Sequence, residues 1–160
     1  MKRQRYTGFT LIELVVVIIL IAIVSVYASS RYFGKNSVDV QLVQSELLAS
    51  LRLTQLRAMH RNGYCSRWRV DGAEAGDASL PNTEELCSTA LIKDSSYVNA
   101  GEKGITLALS TNSGTSFIDF DSLGKPQQCA NTSCTLTMQS SSGVSRTICI
   151  NSQGGIYACD

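Results

Sequence analysis

Thr7-Gly8-Phe9-Thr10-Leu11-Ile12-Glu13-Leu14 is the stretch from which the fold is read. One carboxylate, Glu13, stands at the mouth of an apolar run from Leu14 to Val24 that holds no other charge. An ionised side chain in a bilayer-length helix is expensive, so its presence points to a use. Phe9 to Ser30 is 22 residues. As helix that is roughly 33 Å at about 1.5 Å per residue, enough for a hydrocarbon core of about 30 Å. Lys2, Arg3 and Arg5 precede the run, and Arg31 and Lys35 follow it. The basic leader favours an amino terminus on the cytoplasmic side, with the remaining domain across the membrane.

The run Leu14-Val15-Val16-Val17-Ile18-Ile19-Leu20-Ile21-Ala22-Ile23-Val24 is apolar all round. That suits a helix surrounded first by lipid and later by other helices. Its β-branched residues form helix poorly in water, but lipid offers the backbone no other partner. Two rival readings exist. An ordinary secretory signal would be cut near Val26-Tyr27-Ala28, but the run is long for such a signal and Glu13 interrupts its start. The other rival is a plain single-pass anchor.

All six cysteines, at 65, 87, 129, 134, 149 and 159, lie beyond this segment. An even count outside the cytosol reads as disulfides. No metal site is expected: there is no Cys-x-x-Cys pair, and His60 is the single histidine. Cys129 and Cys134 enclose Ala130-Asn131-Thr132-Ser133, which makes a local bridge easy. For the others, Cys65–Cys87 and Cys149–Cys159 are favoured among the 15 connectivities that six cysteines allow. Strict hairpin pairing about Ser152–Gly155 would set Cys149 opposite Ala158, so the last pair needs a bulge or another loop length.

Residues 31–63 read as an amphipathic helix. Leu42, Val43, Leu47, Leu48, Leu51, Leu56 and Met59 recur at three- to four-residue spacing and should cover a sheet, and Asn62-Gly63 is a stop. In Tyr64-Cys65-Ser66-Arg67-Trp68-Arg69-Val70, strand alternation turns Tyr64, Trp68 and Val70 one way and Cys65, Arg67 and Arg69 the other. Residues 71–103 lack a period, carry turn signals and read as a long exposed connection. Short strands are expected at 105–109, 116–120, 134–139, 146–151 and 155–159. The fold class is α+β: a long amino-terminal helix on an antiparallel β-rich head at 64–160, with 31–160 as one soluble domain.

The basic leader, Gly8-Phe9 and Glu13 together resemble a type IV prepilin, position by position. The resemblance implies a leader at 1–8, cleavage after Gly8 by prepilin peptidase, methylation of the new terminus at Phe9, and use of Glu13 in filament assembly by a transmembrane helix at 9–30. Many major pilins similar in this region carry a proline partway along the helix, and this run has none. Cleavage would place an ammonium at Phe9, with Glu13 about 6 Å further along a helix. Moving into a packed bundle, the carboxylate needs a cation, and a neighbouring subunit's amino terminus is suitable. A slipped helix would leave a charge unpaired, so the pair selects register.

A second resemblance lies in Phe120-Asp121-Ser122-Leu123-Gly124, the strand with Leu136 and Met138, and Ile148-Cys149-Ile150-Asn151-Ser152-Gln153-Gly154-Gly155-Ile156. It is similar to the carboxy-terminal half of the GspH/FimT family, minor pseudopilins of type II secretion and minor pilins of type IV pili. The cysteine-rich variant also resembles minor pilins of the mannose-sensitive haemagglutinin pilus class. The implied partners are other pilins through the amino-terminal helix, prepilin peptidase, the inner-membrane assembly platform and the bilayer. The implied location is the bacterial inner membrane with the head in the periplasm, then the pilus or pseudopilus. No cofactor is implied.

DNA is the remaining partner to weigh. DNA-binding FimT-like proteins resemble one another in arginines beside the final glycine, whereas here the place reads Gly154-Gly155-Ile156-Tyr157-Ala158-Cys159-Asp160. The full chain has 14 Lys+Arg against 13 Asp+Glu, and loss of residues 1–8 leaves 11 against 13. A mildly acidic domain does not advertise nucleic-acid binding. The clustered cations that a nucleic-acid contact would use are Arg57, Arg61, Arg67 and Arg69, with Tyr64 and Trp68 among them. An enzyme is not expected, since no phosphate-binding loop, paired-metal spacing or nucleophile motif is present. The sequence points to a minor pilin or pseudopilin. The alternatives are a pilus-displayed module binding DNA or a surface glycan, and an anchored protein that never polymerises.

Overall fold

The computed structural model describes residues 9–61, 63–81 and 87–159; the side chains of 26–36 and of Pro81 lie outside that description. The chain forms two compact units, Met1–Lys35 and Asn36–Asp160. One helix, α1 (Leu11–His60), contributes to both. In the first unit its apolar side chains from Leu11 through Val24 are exposed, with Val15 half-buried.

In the second unit α1 buries Val40, Val43, Gln44, Leu47, Ser50, Leu51, Thr54 and Ala58. The spacing alternates between three and four residues, one face of a helix. This corrects the expected stripe: Val43, Leu47 and Leu51 are buried, but Leu42, Leu56 and Met59 are exposed. The helix carries apolar residues on two faces, and the buried face is the one whose polar members find partners. Gln44 Nε2 donates to the Thr147 carbonyl at 3.0 Å. The Trp68 indole donates to the Ser50 hydroxyl at 2.9 Å, and Ser50 donates to the Ser96 carbonyl. Thr54 donates to the Ser50 carbonyl at 3.2 Å. With these polar groups satisfied, burial costs little, and short side chains at 50, 54 and 58 let the helix approach the sheet. The helix ends at His60, and Gly63 takes φ +76°, a left-handed turn that glycine adopts without penalty.

The head has two antiparallel sheets. In the first, β1 (Tyr64–Asp71) is central. It pairs on one side with β6 (Phe117–Phe120), through Trp68↔Ile118. On the other side it pairs with β2 (Glu74–Asp77), through Trp68↔Asp77. The short β3 (Leu80–Pro81) continues the register of β2, and β4 (Val98–Asn99) adds to the outer edge of β2. The second sheet runs in the order β5 (Ile105–Ser110), β7 (Cys134–Ser140), β8 (Ser145–Ile150), β9 (Ile156–Ala158). Trp68, Ile105, Ile118, Leu136, Met138, Ile148 and Ile150 meet Val40, Val43, Leu47 and Leu51 in one core.

Every strand expected after residue 104 is present, within a residue or two of its bounds. Tyr64 shares the parity of Trp68 and Val70 but is 42% exposed, whereas Ser66, of the same parity, is buried. The expected exposed connection over 71–103 is corrected more fully: it contains β2, β3 and β4, and Ala75, Asp77, Ala78, Ser79, Ser96, Val98 and Ala100 are buried. Small residues explain the concealment. A Cβ on Gly76 would stand 3.1 Å from the Ser96 carbonyl oxygen and the Tyr97 Cα, so β2 packs edge-on against the chain entering β4.

An ion cluster fastens this region to the helix. Arg57 Nη1 lies 2.8 Å from Asp77 and 2.7 Å from Asp94, and the Asp77 side chain is 1% exposed. Burial pulls the Arg57 guanidinium down, but the two carboxylates outweigh it and hold it above its ordinary value. Burial likewise pushes Asp94 up, yet the Ser96 hydroxyl and amide, with Arg57, hold it below the ordinary 3.8. A carboxyl depressed in the folded state stabilises at pH above its unfolded value. That contribution fades as pH falls from there through the folded value. Urea unfolding followed from about pH 5 to about pH 2 is therefore expected to show an acid limb that is shallower in Asp94→Asn, with little difference between the proteins below it.

Candidate assembly site

The amino-terminal site is built on the first turn of α1. The Thr10 hydroxyl lies 3.4 Å from the Glu13 amide, and the Thr10 carbonyl accepts from the Glu13 and Leu14 amides at 3.1 and 3.2 Å. Thr10 is therefore the helix cap, one residue after Phe9. Thr10-Leu11-Ile12-Glu13 has the spacing of a capping box, a local signal that the reading of this stretch as a leader and anchor passed over. The box is half-formed: the Glu13 carboxylate makes no hydrogen bond or ion pair with the described residues, and it is exposed among exposed apolar side chains. A carboxylate in the first turn gains from the helix dipole, by about 0.3–1 kcal/mol at such positions. Phe9 is 79% exposed. Gly8 and the basic leader lie outside the described residues.

Among the described residues no helix is long and apolar enough to cross a membrane. The described side chains of the apolar run stop at Ser25, short of the end of the span expected over 9–30.

In the second unit, three side chains of α1 grip the last part of the chain. Gln55 Nε2 donates to the carbonyls of Gly124 and Gly154, at 2.8 and 2.7 Å. Arg52 Nη2 donates to the Ile156 carbonyl at 2.8 Å, and Gln44 binds Thr147 as above. The turn at Asp121–Lys125 and the turn at Asn151–Gly155 thus meet on one helix face. Gly154 has φ +89°, and a Cβ there would overlap the Gly124 carbonyl. The two stretches quoted for their family resemblance are in contact.

The structure pairs Cys65 with Cys87, Cys129 with Cys134 and Cys149 with Cys159, with Cα–Cα separations of 5.5, 5.4 and 5.7 Å. These lie within the ordinary range for disulfides. Cys149 stands opposite Tyr157, not Ala158. The Asn151–Gly155 turn shifts the register, so Cys159 falls on the same face as Cys149, one diagonal step along.

The four arginines considered for nucleic acid do not form a free basic patch. Arg57 is held by Asp77 and Asp94. Arg67 binds Asp119 through two nitrogens, at 2.7 and 2.9 Å, and stacks on Phe117 with 3.6 Å to the ring centre. Arg61 reaches over the Tyr64 ring at 5.6 Å, and the buried Arg69 Nε has no partner among the described residues.

An exposed apolar helix whose first-turn carboxylate has no partner among the described residues, joined to a disulfide-bonded head, defines a pilin-type subunit. Residues 3–29 match the prokaryotic N-terminal methylation motif, residues 44–154 match Type II transport protein GspH, and the chain belongs to the GspH family. Its fold is similar to that of the type IV minor pilin FimU of Pseudomonas aeruginosa, with a TM-score of 0.55 and 14% identity, covering 75% of this chain and 92% of that one. No curated protein matches it. The chain is a minor pilin or pseudopilin of a type IV pilus or a type II secretion system. Its family and fold are those of structural pilins. Membership implies membrane anchoring, processing by prepilin peptidase and association with other pilins.

Proposed function

We propose that prepilin peptidase cuts this chain after Gly8, that the new terminus at Phe9 is methylated, and that Glu13 then pairs with the amino terminus of a neighbouring subunit during assembly. The observation that carries this reading is a Glu13 carboxylate with no partner among the described residues, on a helix whose apolar surface is largely exposed. Among the described residues the carboxylate does not fold back onto the Thr10 amide, which leaves it available to an external cation. The apolar surface supplies adhesion without direction, and the charge pair supplies register. In this reading the segment 9–30 holds the subunit in the inner membrane, with the head in the periplasm, until the assembly platform delivers it to the filament.

Intact mass and amino-terminal sequencing of the protein from sheared filaments or membranes should show a chain starting at Phe9 and heavier by one methyl group. A chain starting at Ser29 would instead mean ordinary signal cleavage and end this reading. Display of DNA is not favoured, because Arg57 and Arg67 are already committed to carboxylates.

A further inference from the structure

The outer side of an edge strand is a template for pairing with another chain unless it is short, charged, kinked or covered. Among the described residues, most outer sides in this head are guarded. β9 has three residues, and Arg52 occupies its Ile156 carbonyl. β4 has two residues. Along β6 the Asp119 amide donates to Gln128 Oε1 at 2.7 Å, and Phe120 bridges to Pro126.

β5 (Ile105–Ser110) is the other edge of the second sheet, and it carries none of these guards. It has six residues, no charge and no proline, and its pairing with β7 runs without a bulge from Ile105↔Ser140 to Ser110↔Thr135. The direction of its backbone groups follows from β7. The Ser140 amide donates to the Val144 carbonyl at 2.9 Å, so Ser140 faces β8 and Gln139 faces β5, opposite Thr106. Thr106, Ala108 and Ser110 therefore spend their backbone groups on β7, and Ile105, Leu107 and Leu109 turn theirs outward. The Ile105 amide is taken by the Ala100 carbonyl at 3.1 Å. The amides and carbonyls of Leu107 and Leu109 have no partner among the described residues. The side chains point the same way. Ile105 is buried, but Leu107 and Leu109 pack against the core and are only half-buried. One more strand would bond to four backbone groups and cover both leucines.

We infer that β5 receives an extended strand from a different pilin-type subunit, so that the sheet continues across two heads. The chemistry of that strand is set by what it meets. It is uncharged beside Ile105–Ser110, since Lys103, just before β5, already pairs with Glu46 at 3.3 Å. It places apolar side chains beside Leu107 and Leu109, and small ones beside the exposed Thr106 and Ala108. A second copy of this chain fits less well. β5 pairs with itself only about a two-fold axis, which closes on itself, whereas a filament joins its subunits head to tail. The other described edges of this chain are short or plugged, so it has no second strand to offer. The inference rests on entry of the subunit into an assembly, not on the part Glu13 plays there.

Hydrogen exchange read residue by residue tests it, on the full chain in detergent and in sheared filaments. In detergent the Leu107 and Leu109 amides are expected to exchange fast and the Ala108 amide slowly. In filaments Leu107 and Leu109 should slow by at least about a hundredfold, with Ala108 slow in both. A photoreactive benzoyl-phenylalanine at Thr106 or Ala108 should cross-link, in filaments, to one extended segment of another pilin-type subunit. Leu107→Pro removes an outward amide, which an edge strand tolerates, and Leu107→Ala loses the side chain but keeps that amide. With all three disulfides formed in both, Leu107→Pro should enter filaments about tenfold less than Leu107→Ala. The inference is overturned if the two leucine amides are already slow in detergent, if they stay fast in filaments, if the cross-links join two copies of this chain, or if the two variants enter equally. A chain absent from filaments would overturn the assembly reading as well; a chain present with fast leucine amides would overturn this inference alone.

Discussion

With Glu13 replaced by alanine, the chain is expected to reach the membrane at wild-type or higher levels and to be nearly absent from sheared filaments. The two outcomes have opposite signs because the carboxylate plays opposite parts in them. For insertion it is a cost, on the order of a few kcal/mol or less near the interface. For assembly it is the one directional group on a helix whose exposed surface is otherwise apolar from Leu11 to Val24. Glu13→Gln should behave like Glu13→Ala if the charge matters, and like wild type if only hydrogen bonding does. Co-purification of each variant with sheared filaments, normalised to its amount in membranes, measures the effect. Wild-type recovery of Glu13→Ala would remove Glu13 from the assembly mechanism.

The largest expected effect on stability is at Gly154. A methyl group there meets the Gly124 carbonyl and stands 2.7 Å from Gln55 Nε2, in a backbone held at φ +89°. The left-handed conformation alone costs about 1–2 kcal/mol for an ordinary residue. Relieving the overlap means parting the two turns and losing both Gln55 bonds, about 1 kcal/mol each. Gly154→Ala should therefore lose roughly 3 kcal/mol or more, or about 10 °C in melting temperature for a domain of this size. Gly143 provides the control: it has φ +86°, but a methyl group there would find nothing within 4 Å. Gly143→Ala should show the conformational cost alone. Equal melting temperatures for the two variants would mean that the contact between the turns contributes little.

The architecture was legible where burial imposes a strict period. β5 to β9 alternate apolar and small polar residues between glycine- and serine-rich turns, and their bounds could be read directly. The leader motif was legible for a different reason: a charge inside an apolar run has few explanations. Two regions misled. Along α1, counting leucines selected a face that the sheet does not cover, because Gln44, Ser50 and Thr54 face the core through bonds to Thr147, Ser96, Trp68 and the helix's own backbone. Those partners are remote in sequence, or silent until Trp68 is placed. Over 71–103 the strands are short and made of alanine, glycine, aspartate and serine, so neither hydrophobicity nor period marked them. The free carboxylate of Glu13 was legible as a residue, whereas its half-formed capping box became visible only with the Thr10 geometry.

The grip of α1 on the end of the chain also sets an order of events. Gln44, Arg52 and Gln55 bind residues 103, 104 and 99 positions later. Contacts between such distant residues form late, after the intervening loop has been closed. In the proposed topology the amino terminus stays behind and the head crosses the membrane from its α1 end, which leaves α1 waiting, its sheet-facing side uncovered, until β8 and β9 emerge. Closure of Cys149 onto Cys159 then comes at the last moment of translocation and seals the edge strand in place. A subunit interrupted before residue 147 offers no partner to Gln44 or Arg52 and only the Gly124 carbonyl to Gln55, so in the proposed topology maturation of the head would report that the whole head has crossed.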